Sequence, residues 1–467
     1  MIDAMDQRTL LEGAKYRFGR AHPDSPKELI EQFRAFVRNF VQTHLIPLID
    51  EPDFESYIQD SHYSANVKEH YRDIYRKLKD SPYVFAKTYR SFGKVERMRD
   101  GCKYKHVRCI NPPPDEWKVL MGPYIHAVEK VVCRLEYFAK YIPVMARPKY
   151  IYDLFDGVPG PYWVTDYTSF ESSFSPPVLW AVEGELYSHM LTNFPLVLRQ
   201  LNSWNSGNHR SKFKGFVMDL PGVRMSGDPN TSLGNGFTNL MLTAFMAHRK
   251  GLDFRGLVEG DDGLFAFSGQ PDFSICRQLG FELKFEPHDT VYSTSFCGLM
   301  LSRSLAAFAD PRYVMAAFGW THSMLKESSR KVRLGLLRAK AISLLYTNPR
   351  CPILTALAER FMALTKGTKV IPPRGFWDRQ LFDESLRYSD LISEERQKGI
   401  SDQDRLDFEA LYSISVAQQK RIEEYLGQAV IGPLDHPDIA SLYDDHWVYR
   451  DYDEWFCGRL SDVTGLW

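Results

Sequence analysis

The chain has little of what would hold a fold together covalently or through a structural metal. Its 467 residues include seven cysteines, Cys102, Cys109, Cys133, Cys276, Cys297, Cys351 and Cys457, with no Cys-x-x-Cys pair and no clustering with histidine. That spacing argues against a zinc site and a disulfide framework, and fits a reducing compartment. Long apolar runs are missing too. Nothing approaches the ~20 apolar residues a bilayer span requires, and "MIDAMDQRTL" at the start carries no apolar signal core. Membrane attachment is therefore expected only through a partner. Excess charge of one sign is also absent: 58 Lys and Arg against 59 Asp and Glu leave a net charge of -1, which announces no polyanionic partner. No repeat or low-complexity segment is visible.

What is present is the composition of a globular protein, with 44% hydrophobic, 25% charged and 14% aromatic residues. The length exceeds what one hydrophobic core usually supports, so two or three subdomains are expected. Charge is unevenly placed. Between Lys68 and Arg108 thirteen Lys and Arg face five acids, and "KESSRKVRLGLLRAK" (Lys326 to Lys340) holds six bases and one acid. The stretch from Asp435 to Glu454 is acidic and aromatic. A neutral total can thus hide two positive surfaces, although either run alone also reads as a solvated helix face.

Spaced apolar positions predict helices over 25–80, and the three prolines of "NPPPDEW" forbid helix there. Helix is expected to resume in "GPYIHAVEKVVCRLEYFAKYI". A short strand follows at "WVTDYTSF", then a helix at "PPVLWAVEGELYSHMLTNF" with proline in its first turn. "NSWNSGNHR" reads as a loop, "FKGFVMDL" as a strand, and "SGDPNTSLGNGFTNLMLTAFMAHRK" as a loop entering a long helix. "LVEGDDGLFAF" (Leu257 to Phe267) reads as a hairpin with the acids at its tip. A helix at 272–280, a strand at "FELKF" and a hairpin at "STSFCGLMLS" come next, and 310–430 is mostly helical. Strands alternating with helices, flanked by helical segments, indicate a mixed core with all-α appendages.

Gly260-Asp261-Asp262 alone carries little weight, since the three letters arise by chance in roughly one chain in ten of this length. Its company carries more. Asp166 ends a predicted strand, with Glu171 five positions on, and "RMSGDPNTSLGNGFTN" sets Ser226-Gly227, Thr231 and Asn235 in the pattern S-G-x3-T-x3-N. The order and spacing of these three segments resemble motifs A, B and C in the palm of RNA-dependent RNA polymerases of positive-strand RNA viruses. "RMSGDPNTSLGN" is most similar to the tombusvirus-like group.

The resemblance implies an α+β right-hand polymerase of fingers, palm and thumb, with an antiparallel palm sheet flanked by helices and a mainly helical thumb. The expected division is an N-terminal extension and fingers over 1–156, palm with motif A over 157–185, and a fingers insertion over 186–214. Palm with motifs B to E would follow over 215–310, then thumb and tail over 311–467. The implied chemistry is template-directed transfer of NTPs onto an RNA 3′ end, with Mg²⁺ as cofactor and Mn²⁺ as substitute. Two such ions stabilise the attacking and leaving oxygens. Asp166 and Asp261 would bridge them, with Asp262 as a secondary ligand, because Mg²⁺ takes hard oxygen donors.

Glu171 stands where the family usually has aspartate, which recognises the ribose 2′-hydroxyl together with the motif B Ser and Asn. It offers the same acceptors on a longer arm, which Ser226, Thr231 and Asn235 must accommodate. Gly227 gives the loop a permissive backbone where template slides past. "FGKVE" and "KYKHVRCI" resemble motif F, placing Lys94, Lys105 and Arg108 on the triphosphate, with Lys103 able to exchange roles with Lys105. "LGFELKFEPH" occupies the motif D position, where Lys284 is a candidate general acid and His288 its alternative; a surface lysine on a strand is the competing reading. Arg330 and Lys331 would face duplex phosphates from the thumb.

The implied partners are RNA template and product, NTPs and other viral replication proteins, in the host-cell cytoplasm with any membrane association through partners. Two rivals remain. A reverse transcriptase typically has Tyr-x-Asp-Asp and lacks the motif B pattern. A catalytically silent RNA-binding scaffold would keep the palm without its chemistry. An Mg²⁺ phosphohydrolase leaves motif B unexplained.

Overall fold

The computed structural model of the chain describes residues 6–19, 25–78, 88–94, 106–318, 320–322, 328–373, 376–431, 434, 436–443 and 457–459. A first helix, α1 (Gln7–Phe18), is followed by the helices expected over 25–80: α2 (Lys27–His44), α3 (Phe54–Asp60) and α4 (Ala65–Leu78). In α2 the buried side chains Leu29, Ile30, Phe33, Val37, Phe40 and Val41 recur at helical spacing and form the face turned to the core. The basic face of α4 is partly spent in ion pairs, Arg72 with Glu55 and Glu69, and Arg76 with Glu69 and Asp73. For that stretch the solvated-face reading of the basic run describes the structure.

Three short strands follow, β1 (Thr88–Arg90), β2 (Phe92–Gly93) and β3 (Cys109–Ile110). Helix α5 (Asp115–Val132) starts seven residues before the expected resumption at Gly122 and ends earlier. Pro114 occupies the N-cap, where its missing N–H costs nothing, and Asp115 and Glu116 face the positive end of the helix dipole. The prolines thus launch the helix they were expected only to forbid. Next come α6 (Arg147–Phe155) and β4 (Tyr162–Tyr167). A continuous helical stretch then runs as α7 (Pro176–Leu179), a π-helical turn at Trp180–Gly184, and α8 (Glu185–Met190).

Two sequence expectations fail beyond this point. The polar "NSWNS" is the end of α9 (Pro195–Ser206), because Trp204 and Leu201 are buried and Trp204 stacks on Trp117 with ring centroids 4.1 Å apart. The single strand expected at "FKGFVMDL" is instead half of a hairpin, β5 (His209–Phe213) with β6 (Phe216–Leu220), whose turn places Gly215 at φ +91°. Helix α10 (Thr231–Lys250) is buried along most of its length. It is followed by β7 (Phe254–Glu259), β8 (Asp262–Phe267), α11 (Ser274–Gln278), β9 (Leu283–His288), β10 (Ser295–Phe296), β11 (Leu299–Leu301) and β12 (Ala307–Phe308). The mainly helical C-terminal part holds α12 (Pro311–Phe318), α13 (Arg330–Thr347), α14 (Leu354–Leu364), α15 (Phe376–Arg387), α16 (Ser389–Lys398), α17 (Asp402–Tyr412) and α18 (Val416–Gln428).

The central sheet has strand order β7-β8-β4-β9, every neighbour antiparallel. Both faces are covered, which explains why β8 is an unbroken buried run from Gly263 to Phe267 and not an alternating one. Val258, Phe265 and Tyr167 face a large core shared with α2, α5 and α10. Leu257, Leu264 and Val164 face a smaller core with Ile151 and Phe155 of α6. A separate core packs Leu336, Leu345, Leu357, Phe408 and Ile422 of the C-terminal helices. The mixed helix and antiparallel-sheet character expected from the sequence is present.

Candidate active site

Strand register alone brings the acids together. β7 and β8 meet at Glu259↔Asp262, leaving Gly260 and Asp261 as a two-residue turn with Gly260 at φ +62°, a conformation that glycine adopts without strain. On the other side, β4 pairs with β8 up to Thr165↔Gly263, so Asp166 comes one step later, level with Asp262. Asp166 in turn pairs with Lys284 of β9. Residues level on adjacent antiparallel strands point to the same face. Glu259, Asp262, Asp166 and Lys284 therefore form one row across all four strands, at the sheet end where the turn carries Asp261.

The charges in this row are unequally compensated. Arg147, buried at the start of α6, holds Glu259 at 2.7 Å. Lys284 lies 3.7 Å from Asp166, both side chains largely exposed. Among the described residues no Lys or Arg forms an ion pair with Asp261 or Asp262. Asp262 is an exposed residue, yet protein packed about its carboxyl group partly desolvates it. That desolvation, then the charge of Asp261, and behind it those of Glu259 and Asp166, push its carboxyl up to about 6, against a contact from the Cys297 thiol that lowers it. Cys297 itself sits in the turn between β10 and β11.

The turn is held from the opposite face by a residue that sequence reasoning passed over. Asn239 of α10 is fully buried, and its Nδ2 donates towards the carbonyls of Gly260, Asp261 and Asp262 at 3.4, 3.1 and 3.1 Å. Its Oδ1 accepts from the Tyr167 hydroxyl at 3.2 Å. One amide thereby ties the turn to β4. Helical spacing was the available signal, since Asn239 lies one turn beyond Asn235 on the same face. Gly236 permits the approach: a Cβ there would stand 3.4 Å from the Gly260 nitrogen and 3.3 Å from the Phe138 ring.

The other candidates divide into those near this centre and those away from it. Glu171 meets Asn235, whose Nδ2 donates to Oε1 at 3.5 Å, and forms an ion pair with Arg17 of α1. Thr231 spends its hydroxyl on the Met225 carbonyl at 2.9 Å, bracing the loop that holds Ser226. Gly227 lies at φ +115°, and a Cβ there would meet the Asn111 carbonyl at 3.2 Å. Asn111 also donates its N–H to the Ser226 carbonyl at 2.6 Å, so the chain leaving β3 docks on this loop. Exposed Arg108 lies just before β3, and its carbonyl accepts from the Lys94 N–H at 2.7 Å.

Lys103 and Lys105 lie outside the described residues. His288 pairs with Tyr162, four residues back along β4 from Asp166, or about 13 Å at the rise of a strand. It faces Glu286 at 3.7 Å. Arg330 and Lys331 are exposed in the first turn of α13, whose buried face belongs to the C-terminal core.

Among the described residues, no three His, Cys, Asp or Glu side chains converge closely enough to hold a metal ion by themselves. The donor set is nonetheless of the right kind. Its members are hard carboxylate oxygens, two of them on residues that pair with no Lys or Arg among the described residues, and the carboxylate repulsion that helps raise Asp262 is what a divalent ion relieves. An ion that draws much of its coordination from water and phosphate needs only a sparse protein contribution.

Residues 105–328 match the family model described as viral RNA dependent RNA polymerase. The chain is also 24% identical over 386 residues to a protein named RNA-directed RNA polymerase from Maize chlorotic mottle virus (isolate United States/Kansas/1987), in an alignment taking in 76% of this chain and 39% of that protein. The chain thus spans well under half the length of that relative.

Proposed function

We infer, from the match of residues 105–328 to the family model described as viral RNA dependent RNA polymerase, that the chain is an RNA-directed RNA polymerase extending an RNA 3′ end with NTPs copied from an RNA template. The observation that carries this reading is the row Glu259–Asp262–Asp166–Lys284 across the central sheet, in which Asp262 is crowded by carboxylates and, among the described residues, pairs with no Lys or Arg. In the right-hand layout, the sheet with α10 is the palm. The segments holding β1 to β3 and the β5–β6 hairpin are fingers, and α12 to α18 are thumb. Domain limits at 156/157, 185/186 and 310/311 are proposed with that layout, whereas the expected limit at 214/215 falls in the β5–β6 turn and is moved to 220/221.

Asp166, Asp261 and Asp262 would hold divalent ions, Mg²⁺ or Mn²⁺ in its place, which when bound supply Lewis-acid stabilisation to the attacking 3′-oxygen and the departing pyrophosphate. The protein's own part is placement. Asn239 fixes the turn so that the acids do not reorganise as charge develops. Lys284, on the same face as Asp166, carries a proton at Nζ that the leaving pyrophosphate can take. His288 is too far along the strand for that task. Asn235 and Glu171 stand at the ribose, and Lys94, Lys105 and Arg108 at the triphosphate. Gly227 lets template backbone pass, while Arg330 and Lys331 meet duplex phosphates. The proposed location is host-cell cytoplasm, with membrane contact made through other viral replication proteins; no helix among the described residues is long and apolar enough to cross a membrane.

The direct test is incubation with a short RNA, four NTPs and Mg²⁺ or Mn²⁺, followed by sizing of labelled products. Template-length RNA supports the reading. RNA binding with no incorporation under either metal overturns it in favour of a silent scaffold, and preference for dNTPs would indicate a reverse transcriptase.

Two substitutions probe the placement. Asn239→Leu keeps the branching and the heavy-atom count but leaves three turn carbonyls without their donor. A misplacement of the acids by less than 1 Å should then lower kcat by about 10- to 100-fold, with the protein still folded by circular dichroism. Arg108→Ala should raise the KM for NTPs roughly tenfold with kcat little changed, the signature of lost uniform binding. Steady-state incorporation kinetics check both, and an unmoved KM would shift the triphosphate contact to another residue.

A further inference from the structure

Helix α1 lies outside the residues that match the polymerase family model, yet its last turn reaches the ribose-facing acid. Its seat is well defined. Leu10 and Ala14 are buried against Val107, Cys109 and Phe213. Gly13 sits so close to residue 107 that an added Cβ would stand 2.7 Å from the Val107 carbonyl oxygen. Tyr16 stacks on His106 with ring centroids 4.2 Å apart and planes 14° from parallel. Gln7 donates from Nε2 to the Gly215 carbonyl at 3.0 Å, tying the first turn to the β5–β6 hairpin. These contacts fix the helix against the segment that carries Arg108, and they deliver Arg17 to Glu171 with both side chains only 14% and 16% exposed.

The bonding around Glu171 has a chemical consequence. Oε2 is engaged by the Arg17 guanidinium, while Oε1 accepts from Nδ2 of Asn235 at 3.5 Å. A carboxylate paired with a guanidinium is an acceptor only, so it fixes which way the Asn235 amide faces. The carbonyl end of that amide is left over. Among the described residues, Oδ1 of Asn235 is buried with no hydrogen-bond partner, a cost that a bound hydroxyl donor would relieve. The extra methylene of glutamate over aspartate, about 1.5 Å, is what lets one side chain span Arg17 and Asn235.

We propose that Arg17 is a positioning residue for ribose recognition: it holds Glu171 so that Asn235 presents Oδ1 to the 2′-hydroxyl of the incoming nucleotide. The proposal rests on the polymerase reading, and it makes α1 part of the nucleotide site. It also accounts for glutamate at 171, since the N-terminal helix supplies the cation that the longer arm reaches.

The test compares kcat/KM for an NTP and its 2′-deoxy analogue on an RNA template. Wild type, Arg17→Ala, Arg17→Lys, Glu171→Asp and the Arg17→Ala/Glu171→Asp double variant are measured, each with its thermal midpoint. Arg17→Ala should lower the NTP-to-dNTP ratio about tenfold, with the loss falling on the NTP. Arg17→Lys should recover most of it. Glu171→Asp, too short to span both partners, should lower the ratio similarly, and the double variant should fall no further. Equal losses on both nucleotides would show a purely structural contact and overturn the positioning role. If Arg17→Ala does not fold, an unchanged ratio in Glu171→Asp overturns it as well. A wild-type chain that incorporates neither nucleotide overturns the polymerase reading itself, a distinct outcome.

Discussion

Asp261→Asn is expected to abolish RNA synthesis, lowering kcat by at least about three orders of magnitude, in a chain that stays folded. The amide has the size and shape of the carboxylate, and Asp261 is exposed at the tip of the β7–β8 turn, so no packing is lost. The turn does not depend on this side chain either, because Asn239 grips it through the carbonyls of Gly260, Asp261 and Asp262. Removing one charge from a crowded set also eases the repulsion that raises Asp262, so the thermal midpoint should hold or rise. What disappears is one anionic oxygen donor, and a neutral amide oxygen is a much weaker ligand for a hard cation. Asp166→Ala should be as damaging for the same reason. Denaturing gels of the RNA products, run beside thermal melts, check both. Appreciable residual synthesis in Asp261→Asn would remove Asp261 from the metal-binding set.

The parts of this centre written locally were legible in the sequence, and those made by distant contacts were not. The Gly-Asp turn, the flanking apolar runs and the long helix after "SGDPN" each follow from nearest-neighbour preferences, and β7, β8 and α10 stand where those preferences put them. Asp166 was legible because motif order placed it, but its level with Asp262 and Lys284 is a property of register. Register is set by which faces the cores bury. Arg147 on Glu259 and Arg17 on Glu171 join residues more than a hundred positions apart, and no local pattern encodes such pairings. The "NSWNS" error has a similar origin. Asparagine and serine favour loops on their own, and the burial of Trp204 against Trp117 overrides them. From sequence, Lys284 was the first candidate proton donor and His288 its alternative; how far each lies from Asp166 depends on the pairing of β9 with β4, which no local pattern encodes.

The second large effect is expected away from the carboxylates. Glu183→Leu should destabilise the fold by about 3–5 kcal/mol, and Arg224→Met by a similar amount, because each leaves the opposite charge buried without its ion-pair partner. Glu183 is 0% exposed and Arg224 is 3% exposed. The π-helical turn at Trp180–Gly184 includes Glu183, which forms an ion pair with the Arg224 guanidinium and accepts from Nδ2 of Asn230 at 2.9 Å. Arg224 also lies over the Phe174 ring, 4.9 Å from its centroid. Gly234 leaves no spare room, since a Cβ there would stand 2.5 Å from Arg224 Nη2 and 2.8 Å from Glu183 Cδ. Burial lowers the Arg224 guanidinium to about 10, with Asp228 and Tyr89 opposing the shift; it remains protonated at neutral pH, so a lone Arg224 would stay charged. The double variant Glu183→Leu/Arg224→Met removes both charges at similar volume and should regain most of the loss, so the coupling between the sites should be several kcal/mol. Urea unfolding of the four proteins measures it, and single variants losing under about 1 kcal/mol would mean the pair is solvated. Arg224 stands two residues before Ser226, so the pair anchors the loop that holds Ser226, proposed to face the nucleotide, to the helical stretch 176–190. If the double variant folds yet extends RNA poorly, the buried pair is retained for the orientation of that loop and not for stability, since hydrophobic partners would have served stability as well.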